Sequence, residues 1–294
     1  MTLVPVYRPR PSPLHAARAG VGAGFCCALA LTGALYRHPL VLGATLVAIV
    51  AAGVAAGVGS EIRRSLVLAL PLALLVTIIN PLVYAEGGTL LVRGGELFGR
   101  RIDITFEATL YGALTGLRVV VIVVALGLLS AAVDPDELLR LFRRVSYRSA
   151  LTASLANRLV PVLARDAMRM SDAARCRPHP PGRLAVVRAA LAGALDRSVD
   201  VAAALEVRGY ALGGRPPRRR RPWSRHDLRF LGAALGIAAV AVGGAIAGVG
   251  EVQPYPTLEL AWGAAVWALS AAIVLLAVAP FAGRAARLGV GGAP

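Results

Sequence analysis

The sequence contains no lysine: its 32 basic residues of the Lys and Arg type are all arginine, against 16 acidic residues. A P-loop requires the motif G-x-x-x-x-G-K-[ST], so the chain has no P-loop for nucleotides. A Schiff-base mechanism requires an amine side chain, which is also missing. The sequence therefore excludes ATP hydrolysis through a P-loop and catalysis through a lysine imine.

Cysteine and histidine are scarce as well. Of three cysteines, Cys26 and Cys27 are adjacent in an apolar run and Cys176 lies far away. An odd, scattered set is neither a disulfide framework nor a set of metal ligands. The four histidines are isolated from one another, and we expect no metal site, no cofactor and no catalytic residue. They are His15, His38, His179 and His226.

Charged residues make up only 16% of the chain, whereas 57% are hydrophobic and the mean hydropathy is +0.66. This composition is typical of a membrane protein. A bilayer core of ~30 Å needs about 20 apolar residues per helix. The runs therefore predict an all-α fold, a multi-pass membrane helical bundle with about six transmembrane helices. The nearly uncharged runs are 19–36, 39–60, 65–85, 106–133, 230–250 and 258–283.

Two details of the runs leave alternatives open. The first run follows Arg8, Arg10 and Arg18 and also has the features of a secretory signal, but five more apolar runs favour a first span. Arg118 falls within the fourth span, where a central Arg costs ~2.5–3.5 kcal/mol. It is expected either to face a polar partner or to extend to the membrane surface.

The arginines concentrate between Asp134 and His226. Arg-rich connections stay on the cytoplasmic side, so both termini are expected there too, with an even number of spans. Loop 85–103 is then outside, and the alternation in TLLVRGG and RIDITF indicates a short hairpin. Three segments result: N-terminal transmembrane helices at 1–133, a cytoplasmic helical region at 134–226 and C-terminal transmembrane helices at 227–294.

The run RPPRRRR at 215–221 has two interpretations. It is a membrane-stop signal that contacts anionic lipids, with ~1 kcal/mol per Arg near the surface. Nucleic-acid binding is the alternative, but the run adjoins an apolar segment and lacks interleaved aromatic residues that stack on bases. We expect membrane lipids and no nucleic acid as its partner.

A first long helix is predicted in the cytoplasmic region from about Ser146 to Arg177. Pro161 lies in its interior and should kink it, and Pro178 stops it. Apolar residues recur on one face at helical spacing. They are Leu151, Leu155, Leu159, Leu163 and Met170.

A second long helix is predicted from about Leu184 to Arg208, with Gly209 as the residue after its C-terminus. Its apolar stripe continues onto Arg208, which we expect on the packing face at a helix end that favours a cation. The stripe consists of Leu184, Val187, Leu191, Ala194, Val201 and Leu205.

Both helices end in arginine, one at Arg175-Cys176-Arg177 and the other at Arg208. Guanidinium groups make charge-assisted, bidentate contacts with carboxylates. The two ends therefore predict a pair of guanidinium groups that binds acidic side chains of a partner. Ordinary positive-inside flanks are the alternative interpretation.

Four stretches of this region resemble the transmembrane T component of energy-coupling factor (ECF) transporters, the EcfT/CbiQ family. They are RLVPVLARD at 158–166, DAARCRP at 172–178, RSVDVA at 197–202 and AALEVRGY at 203–210. The resemblance implies a non-catalytic subunit of a modular ABC importer in the bacterial cell membrane. It would transmit the motion of two ABC-type ATPases to a substrate-binding S component, for uptake of cobalt, biotin or another vitamin. In that family the S component determines the substrate.

In the resembled family an Arg at the end of each coupling helix docks into a groove on an ATPase. The resemblance places the two motifs at Cys176-Arg177-Pro178 and Val207-Arg208-Gly209. Two residues differ from the family pattern: Pro178 stands where glycine is usual, and Ala174 replaces glutamine. The supporting residues that the resemblance implies are Arg175, Glu206, Arg158, Pro161 and Asp166.

A membrane enzyme acting on lipid phosphate groups is the alternative function, suggested by Asp196 and Asp200. Phosphatidyl-transferases of the CDP-alcohol type need D-x-x-D-G-x-x-A-R, and these aspartates are four residues apart without the following glycine and arginine. A stand-alone carrier would show inverted repeats or acidic residues within spans. The sequence shows neither, so a coupling subunit is favoured.

Overall fold

The computed structural model places the chain in two compact units. The first comprises Met1–Leu138 and Trp223–Pro294 and holds the apolar helices, and the second comprises Leu139–Pro222. The described residues are 7, 10–83, 90–97, 100–142, 147–179, 181–209, 222–253, 259–260 and 262–282. The arginine run at 215–221 lies outside them.

Helices dominate the chain, and six apolar helices match the six apolar runs. In the described part, four helices are long and apolar enough to cross a membrane. Two apolar helices of 17 residues each are at the short end of spanning lengths. The all-α, multi-pass membrane bundle is therefore confirmed. In chain order the elements are α1 (Pro13–Ala16), α2 (Ala19–Leu35), α3 (Pro39–Ala55), α4 (Gly59–Val83), β1 (Leu90–Leu97), β2 (Arg100–Thr105), α5 (Phe106–Ala132), α6 (Pro135–Phe142), α7 (Tyr147–Arg175), α8 (Arg183–Val207), α9 (Arg225–Ile246), β3 (Val252–Gln253), β4 (Glu259–Leu260) and α10 (Ala264–Val278).

A β-hairpin joins α4 to α5. Strands β1 and β2 pair antiparallel, from Leu90 opposite Thr105 to Leu97 opposite Arg100. The hairpin predicted from the alternation of this loop is thus confirmed. Strands β3 and β4 form a smaller hairpin between α9 and α10. These described strands lie in connections between helices and leave the bundle itself helical.

One end of the bundle gathers the N-terminal arm, the start of α4 and the start of α9; we name it the arginine-rich end. Nη2 of Arg10 donates to Oε1 of Glu61 at 2.7 Å. The backbone N–H of Arg18 donates to Oδ1 of Asp227 at 2.7 Å, and the N–H of Ser224 donates to Oδ2 at 2.9 Å. Both carboxylates are buried, so these donors replace the water that each acid loses. The starts of α2, α4 and α9 are thereby held at the same end.

The opposite end is closed by the connection between α2 and α3. The Tyr36 hydroxyl donates to the carbonyl of Ala241 in α9 at 2.8 Å. His38 caps the start of α3, where its Nδ1 accepts from the N–H of Leu40 at 3.3 Å. Its ring meets Trp262 edge-on, with centroids 5.2 Å apart. Burial lowers the pKa of His38, so the ring stays neutral and able to accept.

Arg118 faces a polar partner inside the bundle, which decides between the alternatives for this residue. Its Nε donates to the carbonyl of Gly33 at 3.1 Å, and its Nη2 donates to the carbonyl of Ala34. These carbonyls belong to the last turn of α2, where backbone oxygens lack helical donors. A cation is also favoured at a helix C-terminus. Arg118 therefore ties α5 to the end of α2.

Glycines allow α4 and α5 to approach closely. A Cβ atom at Gly112 would lie 2.8 Å from the carbonyl oxygen of Thr77, and one at Gly116 would lie 2.9 Å from that of Ala73. The Thr77 hydroxyl lies 2.8 Å from the Ala73 oxygen and 3.3 Å from the Gly112 oxygen. Lipid tails are as apolar as the helices, so such packing and hydrogen bonds must hold membrane helices together.

Gly116→Ala is expected to lower the midpoint of thermal unfolding of the purified protein in detergent. The new methyl group meets the backbone oxygen of Ala73 and pushes α4 from α5, and overpacking of this kind costs about 1–3 kcal/mol. Gly43→Ala in α3 is the matched control, because its Cβ would meet nothing within 4 Å. Equal midpoints for the two variants would contradict the close packing of α4 and α5.

Candidate functional site

Helices α7 and α8 form an antiparallel hairpin in the second unit. The segment 176–182 joins them. Asp166 of α7 pairs with Arg197 of α8, and four residues further along α7 Met170 lies against Gly193. Residue numbers increase along α7 as they decrease along the facing side of α8, so the two helices are antiparallel.

The Asp166–Arg197 ion pair fixes this register. Oδ2 of Asp166 lies 2.8 Å from Nη1 of Arg197, and the two side chains are 24% and 39% exposed. Solvent screens a pair of this exposure, so it stabilises the hairpin by about 1 kcal/mol at most. Asp166 was predicted as a supporting residue, but Arg197 was missed. The sequence feature that could have predicted this pair is that two family-like stretches on neighbouring helices carry opposite charges, Asp166 in one and Arg197 in the other.

Few of the described side chains are buried between α7 and α8. The α7 stripe is partly buried at Leu155, Leu159, Leu163 and Met170, while the side chain of Leu151 lies outside the described set. Ala174 is the one described residue of this unit that is classed as buried. Two helices that bury so little have weak support from each other, because helix stability in proteins comes chiefly from packing.

The apolar stripe predicted on α8 divides between two faces. The partly buried members are Ala194, Val201 and Leu205, and the exposed members are Leu184, Val187 and Leu191. The prediction of one packing face is therefore wrong for the last three. The reason is geometric: Leu191 is about 120° around the helix from Arg197, which faces α7.

The exposed members continue along α8 as a row of five apolar side chains, which we name the apolar seam. Their exposed fractions range from 52% to 69%. Residues three and four apart share one side of a helix, so the seam is continuous. An exposed apolar row of this kind is typical of a surface that interacts with another protein or with a membrane. The seam consists of Leu184, Val187, Leu191, Leu195 and Val199.

The second predicted motif, Val207-Arg208-Gly209, forms the end of α8. The N–H of Arg208 donates to the carbonyl of Ala204 at 3.3 Å, and that of Gly209 donates to Glu206 at 2.9 Å. Gly209 has a φ of +73°, a left-handed conformation that glycine adopts without strain, as predicted for the residue after the helix.

Arg208, which was predicted on the packing face at the helix end, is exposed. Because α8 ends at Val207, Arg208 is a capping residue that extends beyond the packed part of the helix. Val207 beside it is 89% exposed. An apolar side chain and a cation therefore protrude together from the end of α8.

The first predicted motif, Cys176-Arg177-Pro178, lies in the segment between the helices. Helix α7 ends at Arg175, two residues earlier than predicted, and the N–H of Arg177 donates to the carbonyl of Ala174 at 3.3 Å. Pro178 disfavours the helical conformation for Arg177, which explains the earlier end. All three motif residues and Arg175 are exposed, and the Cys176 thiol is free.

The two motif arginines lie at opposite ends of α8. With 25 residues, α8 is about 37 Å long. Arg208 follows its C-terminus, whereas Arg177 precedes its N-terminus by six residues, which reach at most about 21 Å. The two predicted guanidinium groups therefore lie apart, because the hairpin is antiparallel, and their binding to acidic side chains of a partner stays a prediction. Arg177 and Arg208 form two separate cationic tips.

Both tips are available to a partner. Among the residues that the structure describes, neither Arg177 nor Arg208 has an ion pair, unlike Arg10, Arg18 and Arg197. Of the predicted supporting residues, Asp166 lies in the ion pair with α8. The others are exposed: Arg158, Pro161, Arg175 and Glu206.

The aspartates that suggested lipid-phosphate chemistry lie on the surface. Asp196 and Asp200 are both exposed on α8. Within the described ranges, no three His, Cys, Asp or Glu side chains are grouped to hold a metal ion. The geometry of α8 therefore offers these two carboxylates no enclosed site.

Asp166→Asn is expected to speed hydrogen exchange of the α8 amides, because it removes the ion pair that holds α8 on α7. A loss of ~0.2–1 kcal/mol corresponds to roughly 1.4- to 5-fold faster exchange by local opening. Arg197→Gln should have the same effect, and the double variant should add little. Exchange by mass spectrometry on the full chain measures this. The control is Asp172→Asn, an exposed acid on α7; an equal change in the control would contradict the role of the pair.

Comparison with known protein families identifies the family of the chain. No curated protein sequence matches the chain. Residues 11–218, well over half of the 294, match the cobalt transport protein family CbiQ. The matched region includes α2 to α5, both helices of the hairpin and both arginine motifs. The resemblance found in the short motifs thus extends over the larger part of the sequence, and the chain belongs to the CbiQ family of cobalt transport proteins.

Proposed function

We propose that this protein is the transmembrane coupling subunit of an ECF-type ABC importer. Membership of a cobalt transport family makes it a transport component. The observation that carries the proposal is the pair of exposed arginine tips, Arg177 and Arg208, at opposite ends of α8. Two separated tips suit two ATPase subunits, one for each.

The chain needs partners for energy, because it has no lysine and so no P-loop. Each tip offers a cation, and at Arg208 the neighbouring Val207 adds an apolar group that is 89% exposed. In an ATPase groove the valine would bury its side chain while the guanidinium binds a carboxylate bidentately. A helix end of this kind transmits force, because the helix is stiff and the contact is specific.

The apolar seam on α8 suits the S component. Its five side chains cannot be covered by α7, which lies on another side of the helix. A membrane-embedded S component has apolar helices that would cover the seam and supply the packing that the hairpin lacks. Closing and opening of the ATPases would then pass through α7 and α8 and rotate the S component. The family description favours cobalt as the substrate.

We place both termini and the α7–α8 hairpin in the cytoplasm of a bacterium. The arginine-rich end of the bundle holds Arg10, Arg18 and the start of α9, where Arg225 lies. Exposed Arg63 and Arg64 lie in the first turns of α4, which starts at the same end. Short Lys- and Arg-rich segments beside membrane helices stay on the cytoplasmic side.

Arg208→Ala is expected to reduce both co-purification of the ATPases and substrate uptake. Removing one partner of a buried, hydrogen-bonded charge pair costs about 2–5 kcal/mol, roughly 30-fold or more in affinity. Arg177→Ala should weaken the other docking contact. Affinity purification from cells that co-express the tagged ATPases gives the readout.

The matched control for this experiment is Arg169→Ala, an exposed arginine of α7 that lies six residues before the end of the helix. It removes the same charge away from either tip and should leave the complex intact. Unchanged ATPase binding and uptake in Arg208→Ala would refute the docking role of the α8 tip.

Leu191→Glu is expected to release the S component while the ATPases stay bound, because it places a charge at the centre of the apolar seam. Leu191 is 60% exposed, so the fold of the chain should tolerate the change. Ala185→Glu is the control, an exposed residue on α8 that lies outside the seam. Co-purification of both partners is measured together. Retention of the S component in Leu191→Glu would place its binding surface elsewhere.

A further inference from the structure

A groove lies between the start of α9 and the end of α10, at the arginine-rich end of the bundle. Its volume is about 330 Å³, within the ~300–1,000 Å³ range of small-molecule sites. It combines one cation with apolar walls. The lining residues are Arg229, Ala233, Leu276, Ala279 and Pro280.

The groove is built into the packed bundle. Small side chains at Ala233 and Ala279 leave the space, and α10 gives way there to a short 3₁₀ turn, Ala279–Phe281. Phe281 meets Phe230 edge-on at 5.2 Å, and Phe230 meets Phe25 at 5.4 Å. These contacts hold the two helix ends in place, so the groove is formed before any ligand binds.

The charge of the groove is uncompensated. Arg229 is exposed and has no hydrogen bond or ion pair with the described residues. The neighbouring acid, Asp227, is fully buried and accepts from Arg18 and Ser224 instead. The guanidinium of Arg229 is therefore free to bind an anion.

The surroundings of the groove match the boundary between hydrocarbon and headgroups. Leu228 and Leu275 are 61% and 69% exposed, as expected for side chains that face lipid tails. Trp223, just before α9, is 56% exposed, and the Arg18 guanidinium stacks 4.6 Å from its ring centroid. Tryptophan and arginine are enriched at this depth of a membrane protein.

We propose that this groove binds an anionic phospholipid of the membrane. One acyl chain lies against Ala233 and Leu276, and the headgroup phosphate accepts charge-assisted hydrogen bonds from Arg229. Bulk lipid at this position would make the same apolar contacts, so the guanidinium supplies the preference for negative charge. The lipid site lies on α9 and α10. It shares no residue with the arginine tips or with the apolar seam.

Native mass spectrometry of the full chain, titrated with phosphatidylglycerol or phosphatidylcholine, tests the proposal. Phosphatidylglycerol is expected to bind more tightly, and Arg229→Gln should weaken it about fivefold, the effect of one arginine near an anionic surface. Arg229→Lys keeps the charge and should keep most of the binding. Arg63→Gln is the matched control, an exposed arginine in the first turns of α4.

Two further measurements test whether the lipid binds in this groove and whether its acyl chain is required. Ala279→Phe fills the groove from an exposed position and should remove the tightly bound phosphatidylglycerol. Inorganic phosphate at millimolar concentration should not displace the lipid, because it lacks the acyl chain. Equal binding of both lipids, equal effects of Arg229→Gln and Arg63→Gln, or displacement by inorganic phosphate would each overturn the proposal.

Discussion

The antiparallel pairing of α7 and α8 is the constraint on which the functional part of the molecule depends. It is held by a half-exposed ion pair, Asp166–Arg197, and by partial burial of one stripe on each helix. Because the helices run in opposite directions, their C-terminal arginines are separated by the length of α8. The same pairing turns the apolar seam away from α7, so it decides the positions of both the tips and the seam.

In the membrane unit the constraint concerns polar groups, because buried polar groups need hydrogen-bond partners inside an apolar bundle. Asp227 and Glu61 are buried with donors from the N-terminal arm, and Arg118 caps the end of α2. Glycines in α5 allow close contact with α4. These contacts make a rigid bundle, whereas the hairpin keeps its apolar groups exposed. The coupling role proposed above would need both properties, a firm anchor and a surface left open for partners.

Much of the architecture could be predicted from sequence, because apolar runs of about 20 residues have few alternatives to membrane helices. The hairpin between α4 and α5, the glycine after α8 and the family-like motifs followed from equally local patterns. The faces of α8 could not be predicted. Its apolar residues cover more than half of the helix circumference, so periodicity alone does not show which of them, Leu191 or Val201, faces α7.

The sequence by itself determined the membrane class, the helical segments, the absence of a P-loop and the two arginine motifs, because each depends on composition or on neighbours along the chain. Only the tertiary structure decided that Arg118 binds the end of α2, that Arg197 pairs with Asp166 and that the tips are far apart. These facts depend on which helix lies beside which, and in what direction. Such contacts join residues distant in sequence, and local patterns carry no record of them.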